Sequence, residues 1–134
     1  MNCAYLRGAI EEAVSAYGYT LYQCAEQYSP ATICHYPAAH LLPPEFCRIE
    51  GRQHGKITYS IELRLLEQGA KLSAEERNEK FSTMESALVE IFSLLSEYER
   101  VASVEELTIK PATNEIDAHG AMTLVAKAEV VTIF

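Results

Sequence analysis

Positive charge is scarce in this sequence. Eleven lysines and arginines face nineteen aspartates and glutamates over 134 residues, for a formal net charge of -8. Residues 73–106 alone carry nine acidic and three basic side chains, a local net of 3 − 9 = −6. Affinity for nucleic acid comes largely from neutralising phosphates, so this balance argues against a phosphate-binding surface. It argues equally against a strongly cationic membrane patch. Long apolar runs are missing too, and none approaches the ~20 residues a bilayer-spanning helix needs. The first residues, MNCAYLRGAIEEAVSAYG, lack the basic start and continuous apolar stretch of a signal peptide and carry Arg7, Glu11 and Glu12 instead. Synthesis in the cytoplasm is the expectation, with Cys3, Cys24, Cys34 and Cys47 reduced.

Catalytic signatures are absent as well. The chain has no glycine-rich phosphate loop, no G-x-S-x-G elbow and no H-E-x-x-H. Its paired carboxylates, Glu11–Glu12, Glu75–Glu76 and Glu105–Glu106, are neighbours in sequence and diverge on a helix or strand, so they read as solvated faces. One stretch is rich in reactive groups: ICHYPAAHLLPPEFC, residues 33–47, holds Cys34, His35, His40 and Cys47. These are zinc donor types, but the close ligand pairs of familiar structural sites are missing. Nor does anything place a thiol beside a base at a helix start. A buried cysteine, a partly exposed histidine and a proline-rich loop are the plainer reading. His54 and His119, each beside a glycine, read as turn residues. No cofactor, metal or catalytic residue is assigned.

What the sequence does contain is legible patterning. Nearly half of the residues, 49%, are hydrophobic, enough for one core in a single domain spanning residues 1–134. Leu6, Ile10, Ala13, Val14 and Tyr17 share one face of a helix expected over Cys3–Tyr17, with Asn2 as its cap and Gly18 as its stop. YTLYQCAE, residues 19–26, suits a short strand or extended connection. Pro30, Pro37, Pro43 and Pro44 break up residues 29–45, which reads as a long loop admitting only a brief strand such as TICHY.

The clearest strand is KITYSIELRLLE, residues 56–67. Ile57, Tyr59, Ile61, Leu63 and Leu65 alternate with Lys56, Thr58, Ser60, Glu62 and Arg64. EFCRIEGR can pair back on it as a hairpin. Ser73 and Glu76 form a capping-box pattern ahead of a helix expected over 73–98. On it Phe81, Met84, Leu88, Ile91, Leu95 and Tyr98 repeat at steps of three or four, with Val89, Phe92 and Leu94 widening the stripe. A terminal hairpin joins VEELTIKP, residues 104–111, to AMTLVAKAEVVTIF, residues 121–134, through a turn with Asn114, Asp117 and Gly120. The expected fold is α+β: a single mixed or antiparallel sheet of four to five strands packed against two helices, in the order α-β-β-β-α-β-β.

This order carries a resemblance. An N-terminal helix, a loop of YPAA-x-LLPP type, a hairpin entering TYSIELRLLE, a capped helix SAEERNEKFSTMESALVEIFSLL and a terminal hairpin ending in VAKAEVVTIF are similar to the tail terminator, or tail completion, proteins of long-tailed bacteriophages and prophages. The likeness covers nearly the whole chain and rests on order and texture. The resemblance implies a non-enzymatic virion component, assembled in the bacterial cytoplasm, whose copies form a sixfold ring capping the tail tube and joining it to the neck. It implies no cofactor, no nucleic acid and no small-molecule substrate. Subunit contacts are then expected at Tyr36, His40, Leu41 and Leu42 of the long loop, at Arg48 and Arg52, and at Glu90 and Glu97 of the acidic helix. The competing expectations are a related neck component, a small homo-oligomeric α+β binding module unconnected with phage, and a small enzyme using Cys34, His35 or His40.

Overall fold

Alternating side chains in one long strand organise everything else. The computed structural model describes residues 2–23, 37–51, 54–69, 71–116 and 121–134. Helix α1 spans Asn2–Ala16, followed by strands β1 (Thr20–Gln23), β2 (Ala38–Leu41), β3 (Glu45–Glu50) and β4 (Lys56–Gln68). Helix α2 spans Ala74–Leu95 and leads into β5 (Val101–Ile116) and β6 (Ala121–Ile133). The described strands form one six-stranded sheet in the order β1-β2-β4-β6-β5, with β3 also paired to β4. β1 and β2 are parallel and every other pairing is antiparallel. The fold is therefore α+β, with a mixed sheet and two helices as expected and one or two more strands than expected.

The extra strand comes from the proline-rich stretch. Residues 38–41, read as loop, pair with β1 on one side and β4 on the other. Pro37 and Pro43–Pro44 bound AAHL without entering it, so all four of its backbone N–H groups remain available for the ladder. TICHY and the end of YTLYQCAE lie outside the described residues, as does the expected turn at Asp117 and Gly120. Asn114 falls within β5, which extends beyond the expected arm at both ends.

Period two on β4 sorts the two faces. Ile57, Tyr59, Ile61, Leu63 and Leu65 are buried, and their cross-strand partners on β6 include Ala128, Ala126 and Leu124. Against this face pack Leu6, Ile10 and Val14 of α1 and Met84, Leu88, Ile91 and Leu95 of α2, in one cluster holding both Ile61 and Leu88. Each fully buried Leu or Ile contributes about 1.5–3 kcal/mol relative to exposure, so this one layer is the main source of stability.

Three local expectations are corrected. Tyr17, expected on the apolar face of α1, lies past its end at Ala16 and is 38% exposed. Asn2 does not cap α1 from outside; it lies in the helix, and its side-chain amide donates to Thr132 Oγ1 (3.0 Å) and the Ile133 carbonyl (3.1 Å). It ties the helix start to the end of β6. Val89 does not widen the buried stripe of α2, because it is 46% exposed beside Glu85 and Glu90. The cap of α2 is as read. The Glu76 amide donates to Ser73 Oγ, and Glu76 Oε1 accepts from the Ser73 amide, each at 3.2 Å. Gly18, with φ +82°, ends α1 in the left-handed region that favours glycine.

Candidate interaction surface

With both helices on one side, the sheet's other side is left to the even-numbered residues of β4 and the odd-numbered residues of β6. Register builds a charged cluster there. Glu62 sits opposite Lys127, and Arg64 opposite Val125; across β6, Lys127 meets Thr108 and Val125 meets Lys110. Two cross-strand rows result, Arg64–Val125–Lys110 and Glu62–Lys127–Thr108. Glu62 accepts from Arg64 Nε at 2.8 Å and lies 3.7 Å from Lys127 Nζ. Its carboxylate thus serves two cations. Lys110 has no carboxylate within ion-pair distance among the described residues. These groups, with Thr123, Pro111 and Ala112, line an open depression of about 440 Å³. Three cations against one anion make it a net +2 patch on a chain of net charge -8.

The opposite surface of the molecule is acidic. Helix α2 turns Glu75, Glu76, Glu79, Glu85 and Glu90 to solvent, while its two bases, Arg77 and Lys80, are half-buried. Lys80 is further occupied by Glu67, at 3.8 Å. From residue 81 to residue 99 there are four carboxylates, Glu85, Glu90, Glu97 and Glu99, and no base. At the far end Tyr98 donates to Glu12 Oε2 (2.7 Å) and stands edge-on to Tyr5 (6.5 Å between centroids), over which Arg100 lies at 5.5 Å. Burial and then the Glu12 hydrogen bond push the Tyr98 phenol up to about 12. The same two causes, with the Glu67 charge between them, raise Tyr19, whose hydroxyl donates to Glu67 at 3.3 Å.

A third feature is the edge. All six residues of β3 are exposed, and Phe46 (59%) and Ile49 (55%) project on the helix side of the sheet. Phe46 meets Tyr59 edge-on at 6.1 Å, and a bulge between Phe46 and Arg48 interrupts the register.

The residues expected at subunit contacts divide accordingly. His40 and Leu41 are 0% and 1% exposed, buried within β2, and present no surface to a neighbour. Leu41 packs into the helix-side cluster, while His40 lies on the other face of the sheet, in register with Arg64. Leu42 is half-buried at the rim of a smaller hollow with Glu45 and Lys127. Arg48 is exposed and ion-paired with Glu50 (3.2 Å) and Glu129 (4.0 Å). Glu90 and Glu97 are exposed, while Tyr36 and Arg52 lie outside the described residues. So do Cys34 and His35; of their expected companions, Cys47 is exposed on β3 and His40 is buried. Among the described residues no three His, Cys, Asp or Glu side chains gather as metal ligands would.

Sequence reading missed the basic cluster. Alternation set Glu62 and Arg64 apart from the apolar face of β4, but only the register of β4, β6 and β5 brings them to Lys127 and Lys110. No helix among the described residues is long and apolar enough to cross a membrane. Compared with known proteins, the chain matches no family model and no curated sequence.

Proposed function

We propose that the chain is a structural subunit of a long-tailed bacteriophage or prophage, a tail terminator or tail-completion protein. Copies close into a sixfold ring on the end of the tail tube, stop its growth and present a surface to the neck. Its partners are itself, the tube protein and neck proteins, in a virion assembled in the bacterial cytoplasm. The role is architectural, with no cofactor and no catalysed reaction. The observation that carries this reading is the pair of unlike outer surfaces, an acidic helix on one side and a depression of net charge +2 in the sheet on the other. A ring needs two different surfaces per subunit. The element order supports it, as does the resemblance it carries.

Tail tubes grown with and without the purified chain test the proposal by negative-stain electron microscopy. Blunt tubes carrying an extra ring at one end are expected. Tubes that elongate freely with bare ends in the presence of excess chain would sink it. A second reading, a homo-oligomeric binding module outside any phage, is favoured by the exposed β3 edge with Phe46 and Ile49. Sedimentation separates the two, because a tight two-subunit particle joined through β3 fits only the module.

A further inference from the structure

From the charge of the depression and of α2, we infer that the basic depression on the sheet is the docking site for the acidic face of α2 from a second copy of this chain. The inference rests on the ring-forming reading and names the surfaces that would make the ring.

Three observations fit together. The first is charge: net +2 in the depression, against five exposed carboxylates and two half-buried bases along α2. The second is local pattern. On the sheet, half-buried Val125 sits between Arg64 and Lys110 in one cross-strand row, with Lys127 in the next. On the helix, Val89, 46% exposed, sits one turn from Glu85 and next to Glu90. An apolar centre flanked by cations thus faces an apolar centre flanked by carboxylates. The third is size. Glu85 and Glu90 are separated by about 7.5 Å along the helix axis and about 140° around it, with Val89 between them in angle, and Arg64 and Lys110, two strand spacings apart, by about 9.6 Å. Long side chains span the difference. The three strands give a platform about 10 Å across, the width of one helix.

Position dictates the symmetry. Helix α2 and the depression lie on opposite sides of the sheet, so two rigid copies cannot satisfy both surfaces reciprocally. Each contact leaves one free surface at either end, and the series ends only when it closes on itself. Strength is limited as well. A 22-residue helix about 33 Å long and about 10 Å wide covers roughly 330 Å² on each side. That is well short of the ~800 Å² per partner of a standard stable interface. The contact is weak in isolation and becomes effective through closure or on a template that raises local concentration.

Charge exchange tests this. One variant carries Lys110→Glu and Lys127→Glu, and another carries Glu85→Lys and Glu90→Lys. All four side chains are exposed, so both variants should melt within a few degrees of the parent, which circular dichroism checks. Self-association is followed by concentration-dependent amide shifts up to about 1 mM at low salt, where exposed charges are least screened. The parent should associate and each variant alone should do so at least about tenfold more weakly. An equimolar mixture should recover, because each variant supplies the surface the other now requires. A parent that stays monomeric over this range, variants that associate like the parent, or a mixture that fails to recover each overturns the inference. Rings formed equally by either variant alone would remove the proposed contact and leave the ring standing. Recovery that never closes into a ring would keep the contact and count against the ring.

Discussion

Asn2 shows how one side chain can fix an element. Its amide reaches Thr132 Oγ1, and Thr132 in turn donates to the Ile57 carbonyl (2.8 Å), so α1, β6 and β4 are tied through a single buried chain of hydrogen bonds. At the other end of α1, Tyr98 reaches Glu12 and closes α1 against the turn after α2. This second tie has a pH signature. Folding raises the Tyr98 pKa from about 10 to about 12, so the folded chain holds the phenolic proton more tightly than the unfolded one. The contribution is complete below pH 10 and is lost as pH rises from 10 through 12. Tyr98→Phe should therefore lose part of the parent's stability at neutral pH and show a shallower decline above pH 10. Urea midpoints across that range measure it; parallel curves would show that neither burial nor the Glu12 contact holds the Tyr98 proton. The Glu12 partner of Tyr98 was not legible in sequence. Alternation put Tyr59 on the buried face, where it lies, but helical spacing put Tyr17 on the apolar face of α1, and it is exposed just past the end of that helix.

At the scale of elements, the long periodic segments were readable because their own pattern specifies them. β4 buries all five residues that alternation put inside, from Ile57 to Leu65, although Thr58 and Leu66 on its other face are buried as well, and α2 began where Ser73 and Glu76 announced it. The cap gives a direct test. Ser73→Ala should cost about 1 kcal/mol, the usual value for losing an N-cap hydroxyl, seen as a lower urea midpoint with unchanged slope. Glu76 adds a pH-dependent part. Hydrogen bonds from the Ser73 backbone, then its side chain, hold the Glu76 carboxyl below the ordinary glutamate range. A depressed folded-state pKa stabilises above the unfolded value and loses that contribution as pH falls through the folded one. Glu76→Gln should be less stable than the parent near neutrality, and the two should converge as pH drops below about 4. Convergence failing to appear would remove the carboxylate from the cap. Short elements were less legible. Four residues of β2 carry too little pattern to declare a strand, and its pairing is set by β1 and β4, both distant in sequence. Val89 was misplaced because it follows Leu88 by one residue, about 100° further round the helix and beyond the face the sheet covers.

For the whole molecule, the central question is how a two-layer domain disposes of its uncovered edges and faces. On β5 the outer edge is irregular: the register shifts between Glu105 and Thr108, Glu106 adopts φ +55°, and Pro111 withholds a backbone donor. These features twist and interrupt the edge, which discourages pairing with another chain. β3 has one bulge and three charged residues, yet it keeps Phe46 and Ile49 in solvent. In an isolated subunit β3 should therefore be the weaker margin. Its backbone hydrogen bonds are solvent-exposed and few apolar atoms cover it, whereas β4 and β6 pair on both sides beneath the helices. Amide exchange follows such differences in local opening energy. In dilute solution, the β4 and β6 amides should exchange slowest, near the rate of global unfolding, and those of β3 much faster. Hydrogen–deuterium exchange by mass spectrometry resolves the two. If the proposed ring forms on tail tubes, β3 slowing toward the rate of β4 would mean that neighbours cover this edge as well as the proposed sheet contact. Unchanged β3 exchange in a ring-bearing sample would assign closure to the faces alone. Equally slow exchange in both strands of the dilute monomer would contradict the edge's exposure and, with it, the account of β3 as an interaction margin.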